Sequence, residues 1–120
     1  MRKVLIVDDS EEIGRIYPRV VKRIFKTAGL DVDVVVVASG QAALKALHDH
    51  QFTDIICDIE FPGSAVAIYD MIAEVSPAMN FIANTGNINH KDAYSLRIRG
   101  VPVLEKPVSS EDFARLLLGK

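Results

Sequence analysis

Four short stretches carry groups that could do chemistry together: Asp8-Asp9-Ser10, Asp58-Ile59-Glu60, Thr85-Gly86-Asn87 and Glu105-Lys106-Pro107. Asp8, Asp9 and Asp58, if gathered in one pocket, would repel one another and need a compensating cation. Oxygen ligands without His or Cys favour a hard ion such as Mg²⁺, which typically takes one or two carboxylates plus waters and phosphate oxygens. A carboxylate beside such an ion can attack a phosphoryl group and become an acyl phosphate. Lys106 and Thr85 could then hold the new phosphoryl oxygens, one by charge and one by hydrogen bonding. Taken singly, most of these stretches are ordinary, although Asp58 is less easily dismissed because it closes an apolar run. Asp-Asp usually makes a turn or helix cap, Thr-Gly a turn and Lys-Pro a loop. The chemistry depends on their being brought together.

The elements that would do so are legible as short apolar runs alternating with longer amphipathic segments. Val4–Val7, Val34–Val37, Ile55–Cys57, Phe81–Ala83 and Val101–Leu104 are short, rich in β-branched residues and mostly not alternating. Strands of a parallel sheet covered on both faces look like this. Between them helical patterns run from Glu11 to about Ala28, Gln41 to His50, Ala65 to Val75 and Ile88 to Arg99, and a last one follows Ser109 or Ser110. Ser10 caps the first and Gly29 ends it. Pro18 predicts a kink in that helix, or a start at Tyr17–Pro18, because its ring crowds the Gly14 carbonyl. Strict alternation at this length implies an α/β fold, a parallel sheet with helices on both faces. In such sheets sites form beyond the carboxyl ends of the strands. Each polar stretch above follows strand 1, 3, 4 or 5.

Composition sets the outer bounds. The chain has 120 residues, a net charge of −2 and 25% charged residues. That is one domain's worth, with no basic excess for general nucleic-acid binding. One cysteine, Cys57, excludes an internal disulfide framework and a multi-cysteine metal site. No apolar run reaches the roughly 18–20 residues of a membrane span. The stretch after Met1 is too short for a signal peptide, whose apolar region needs about 7–15 residues. A cytoplasmic location is therefore expected.

Over essentially its full length the sequence resembles the receiver domain of bacterial two-component response regulators. The matching pieces are Val4–Ser10, Ala38–Leu44, Ile56–Gly63, Asn84–Gly86 and Leu104–Val108. The resemblance implies a single receiver domain over 1–120. Its fold would be flavodoxin-like: a doubly wound, five-stranded parallel sheet of strand order 2-1-3-4-5. It implies phosphorylation of Asp58 from a phosphohistidine on a sensor histidine kinase or a histidine phosphotransfer protein. Asp9 and Asp58 would ligate Mg²⁺, or Mn²⁺ in its place, with Asp8 helping through water and the Glu60 backbone carbonyl completing the set. Thr85 and Lys106 would contact the phosphoryl group, and the Lys106–Pro107 bond would be cis. Glu60 and Asn87 stand where relatives tune dephosphorylation. Output would pass to a partner or effector domain that the residues do not specify, with a homodimer through helix 4, strand 5 and helix 5 as one arrangement.

Some features depart from the family pattern. Val103 stands where a switching receiver often has an aromatic residue, and the Gly100–Lys106 segment is about one residue short. The first helix is long and contains Gly14 and Pro18. Ser64-Ala65-Val66-Ala67 replaces a more polar loop after Pro62-Gly63. Cys57 reads as a small buried hydrophobe, and His48, His50 and His90 as surface residues. The expected protein is a signalling phosphoacceptor that turns over no metabolite. One alternative is a degenerate receiver serving as a phosphorylation-independent interaction module. The other is a haloacid-dehalogenase-type phosphatase, which the Asp58-Ile59-Glu60 spacing mimics. That class, however, carries its nucleophile after the first strand, and this chain has no room for a cap domain.

Overall fold

The central strands form where the chain is most continuously apolar. β1 (Arg2–Val7) and β3 (Asp54–Asp58) hold Val4–Val7 and Ile55–Cys57 with no solvent exposure, in a computed structural model that describes residues 1–119. α1 (Glu11–Thr27), β2 (Val32–Val37), α2 (Gly40–Asp49), α3 (Ala65–Val75), β4 (Asn80–Thr85), α4 (Lys91–Ile98), β5 (Val103–Glu105) and α5 (Ser110–Leu118) complete the alternation. All five strands are parallel, in the order β2-β1-β3-β4-β5. This is the flavodoxin-like arrangement that the sequence implied.

Alternate residues of the strands face different helix layers. Leu5, Val7, Ile55, Cys57, Phe81 and Ala83 pack with Ile68 and Ile72 of α3 and Leu96 of α4. Val4, Ile6, Ile56 and Ile82 pack with Tyr17, Val21 and Phe25 of α1 and Phe113 and Leu117 of α5. Edge strand β2 is less covered than expected: Val35 and Val37 pack on one helix layer and Val32 and Val34 on the other, but none of its residues is fully buried and Val36 is 39% exposed, because only β1 flanks it.

The first helix takes one of the two starts the sequence offered, and two other elements begin later than expected. α1 neither begins at Tyr17 nor breaks at Pro18; it runs from Glu11 with Ser10 as its cap. Pro18 sits inside the helix, where its missing N–H leaves the Gly14 carbonyl without the usual intrahelical donor. α4 begins at Lys91 rather than Ile88, because the half-buried ring of His90 accepts the Asp92 N–H at 3.0 Å. His90 is thus a helix cap rather than a plain surface residue. β5 starts at Val103, and Val101 is buried in the preceding loop.

At the amino ends of the strands lies a polar clasp that the sequence did not announce. Asp54, fully buried, accepts from Arg2 Nη2 at 2.7 Å and Nε at 3.1 Å, from Thr53 Oγ1 at 2.6 Å and from Asn80 Nδ2 at 3.0 Å. Arg2 Nη2 also donates to the Leu117 carbonyl at 2.7 Å, and Asn80 Nδ2 to the Leu116 carbonyl at 3.0 Å. The clasp therefore ties the starts of β1, β3 and β4 to the last turn of α5.

Candidate functional site

The register of the sheet determines which groups meet at its carboxyl end. Val7 pairs with Cys57, Asp58 with Asn84, and Thr85 with Glu105. Asp8, Asp58, Thr85 and Lys106 are therefore the residues at or just past the ends of four adjacent strands.

Asp8 and Asp58 are each 3% exposed, whereas Asp9 is open to solvent. The three carboxylates each offer an oxygen within 4.8 Å of the others. Lys106 Nζ bridges two of them, at 3.1 Å from Asp8 Oδ2 and 3.2 Å from Asp58 Oδ1. The Ser10 N–H donates to Asp8 Oδ1 at 2.9 Å, and the Glu60 N–H to Asp58 Oδ1 at 3.2 Å. Three carboxylates against one ammonium leave a doubly negative pocket of oxygen donors. That donor set fits a hard divalent cation, and the exposed side at Asp9 leaves room for waters.

The electrostatics follow from this crowding. Burial, then the neighbouring Asp8 charge, pushes the Asp58 carboxyl above the usual range, against the lowering pull of the Glu60 N–H and Lys106. Burial works against the Lys106 ammonium, but its bond to Asp8 and the charges of Asp58 and Asp8 outweigh that and raise its pKa. The Cys57 thiol is pushed up by burial and by Asp58 and Asp8, so it stays an unreactive packed group. The Lys106–Pro107 bond is cis, and the Lys106 N–H donates to the Thr85 carbonyl at 2.8 Å.

Thr85 is fully buried, and its hydroxyl faces Glu60 Oε1 at 2.7 Å. Asn87 contributes through its backbone, its N–H reaching Thr85 Oγ1 at 2.9 Å. Val103 does not join the cluster; it is half-buried beside Ala83 and packs on the α2–α3–α4 side of the core. Two supporting residues were missed in the sequence. Asn84 Nδ2 donates to the Cys57 carbonyl at 3.3 Å, bracing the strand that ends in Asp58. Tyr17, nearly buried on α1, donates its hydroxyl to Asn84 Oδ1 at 3.2 Å. The only signal for Asn84 was a polar residue ending an apolar strand, and Tyr17 gave none beyond its place on the inner face.

The loop above Asp58 is anchored by two glycines. The Gly40 N–H donates to the Pro62 carbonyl at 2.9 Å, and a Cβ on Gly63 would lie 3.0 Å from Gly40 Cα and 2.6 Å from Phe61 Cε2. Gly63 also has φ +147°, which side chains rarely adopt. Gly63→Ala should cost about 1–3 kcal/mol, read as a lowered urea midpoint with unchanged slope.

A family model of the response regulator receiver domain matches residues 4–117. The chain belongs to that family. Three solved structures place this receiver among its relatives. A receiver domain from Clostridium thermocellum has a TM-score of 0.84 at 21% identity, covering 99% of this chain and 93% of that one. A response regulator from Burkholderia pseudomallei, described with a phosphorylated aspartic acid and a calcium ion, has a TM-score of 0.74 at 19% identity, covering 98% of this chain and 66% of that one. At these identities the likeness speaks for the fold alone. The beryllofluoride-activated NtrC4 receiver domain dimer is 31% identical with a TM-score of 0.70, covering 98% of this chain and 92% of that one. No curated protein matches the receiver's sequence. Among the described residues, no helix is long and apolar enough to cross a membrane.

Proposed function

We propose that this receiver is a phosphoacceptor of a two-component relay, with Asp58 as the accepting group. The observation that carries this reading is the Lys106 ammonium held between Asp8 and Asp58 in an all-oxygen pocket. An Asp58 oxygen attacks the phosphorus of a phosphohistidine on a sensor kinase or phosphotransfer protein. The P–N bond breaks as the P–O bond forms, and the imidazole leaves with the electron pair and takes up a proton. Asp8, Asp9 and Asp58, with the Glu60 carbonyl, would hold Mg²⁺ or Mn²⁺, which when bound neutralises charge on the phosphoryl oxygens. Lys106 is already 3.2 Å from Asp58 Oδ1, so it can pair with the new phosphoryl group with little movement. Thr85 would supply a hydroxyl to a phosphoryl oxygen, and Glu60 and Asn87 flank the approach of the hydrolytic water. The cis Lys106–Pro107 bond stands directly after the lysine in this site.

Metabolite turnover is not part of this function; the consequence is a changed set of protein contacts. The dimeric state of the 31% identical relative supports pairing with a second copy, for which we propose the face formed by α4, β5 and α5. Tyr94 and Ile98, one helical turn apart and 64% and 66% exposed, give that face apolar contact area. With Val103 in place of an aromatic residue, the switch would centre on Thr85. A cytosolic location suits a partner kinase of this kind.

Incubation with acetyl phosphate and Mg²⁺ should add one phosphoryl group, seen by intact mass. Mg²⁺ alone should stabilise the fold by about 2.7 kcal/mol at a hundredfold excess over its dissociation constant. Asp9→Asn should lose most of both effects. Normal Mg²⁺-induced stabilisation in Asp9→Asn would contradict the ligand assignment, and no mass gain in the native chain would favour the phosphorylation-independent module.

A further inference from the structure

We infer that Glu60 is a latch on the switch: its side chain holds the Thr85 hydroxyl, which must be released before it can donate to a phosphoryl group on Asp58. This rests on the phosphoacceptor reading and adds to it a positioning residue that acts through Thr85.

A threonine hydroxyl has one proton to donate. Two acceptors are in reach, Glu60 Oε1 at 2.7 Å and the Asn87 carbonyl at 3.2 Å. The shorter bond to the charged acceptor takes the proton. The other side of the oxygen is occupied by the Asn87 N–H at 2.9 Å. Thr85 is fully buried, so it has no free water to exchange for the carboxylate. Its hydroxyl is therefore already committed in this state.

Glu60, by contrast, is exposed, and can swing into solvent without repacking the core. A Cβ at Gly86 would lie 3.9 Å from Glu60 Oε1, so the carboxylate rests over the Thr85–Gly86 backbone. The latch thus joins the loop after β3 to the loop after β4, with Asp58 at the root of one and Thr85 at the root of the other. The Glu60 carboxylate, 2.7 Å from Thr85 Oγ1, opposes an arriving phosphoryl group twice. One opposition is general charge repulsion; the other is occupancy of the hydroxyl. Only the second passes through Thr85.

That difference gives the test. Beryllofluoride with Mg²⁺ is titrated into the native chain, Glu60→Ala, Glu60→Gln, Thr85→Val and the double variant Glu60→Ala/Thr85→Val, with binding followed by amide shifts. Glu60→Ala should tighten apparent binding about three- to tenfold, as expected for one lost competing hydrogen bond. Glu60→Gln, which keeps an acceptor but no charge, should fall between it and the native chain. In the Thr85→Val background most of the gain from Glu60→Ala should vanish. Without beryllofluoride, Glu60→Ala should average the Thr85 χ1 couplings. An equal gain with and without the Thr85 hydroxyl, or unchanged couplings, would overturn the latch while leaving the phosphoacceptor reading intact. No beryllofluoride binding by the native chain would overturn that reading, and the latch with it.

Discussion

Asp58→Asn should abolish phosphoryl uptake and, in metal-free buffer at neutral pH, should make the folded chain more stable. The first effect is chemical: an amide oxygen is too weak a nucleophile to form the acyl phosphate, and in this reading Asp58 alone accepts the group. The second is electrostatic. Burial and the charge of Asp8 raise the Asp58 carboxyl in the folded state. The native fold then keeps a proton that the unfolded chain has released. Stability accordingly falls as pH rises from the ordinary carboxylate value, roughly pH 4, through the raised folded value. Asparagine removes that penalty and keeps an oxygen for the Glu60 N–H and Lys106, while Lys106 retains Asp8. Lys106 itself contributes in the opposite sense: its raised pKa stabilises the fold below the unfolded lysine value, and that support fades only in strong alkali. Urea melts of both chains at about pH 4.5 and 7.5, with chelator present, check this. The two curves should approach each other at the lower pH and separate at the higher one. A variant less stable at both values would mean that the pairing with Lys106 outweighs the crowding.

Asp54→Ala is expected to be the most damaging single change away from the site. It would leave Arg2, Thr53 and Asn80 with donors aimed at an empty position. Arg2 is 31% exposed and keeps the Leu117 carbonyl, so the loss comes mainly from the stranded buried donors, about 1–3 kcal/mol, still a large part of the roughly 5–15 kcal/mol that holds a domain together. Asp54→Asn, with one carbonyl oxygen left to accept, should cost clearly less. Equilibrium urea denaturation measures both. Equal losses for the two substitutions would place the effect in packing rather than in the hydrogen bonds.

What could be read in the sequence, and what could not, follows the range of the forces involved. Val4–Val7 and Ile55–Cys57 announce buried strands because burial on both faces demands unbroken apolar residues. Asp8, Asp9, Asp58, Thr85 and Lys106 are legible as strand-end residues once the alternation is seen. The clasp around Asp54 is not, because its partners Arg2 and Asn80 lie 52 and 26 positions away and meet only through the sheet register. The start of α4 was misplaced for a local reason: an imidazole caps it, outside the Ser, Thr, Asp and Asn set that usually signals a helix start. Pro18 left two starts open for α1, and Ser10, whose hydroxyl accepts the Ile13 N–H, decides for the earlier one. The Glu60–Thr85 bond depends on two loops facing each other, which spacing along the chain does not encode.

The clasp also settles the attachment geography of the molecule. Arg2 touches the Leu117 carbonyl, so the first strand's beginning and the last helix's end share one pole. The acidic pocket occupies the other, a strand length of roughly 17–20 Å away. Any tether leaving from either extremity starts on the hemisphere opposite the pocket. In the phosphoacceptor reading, a visiting phosphohistidine would approach from the pole opposite the clasp.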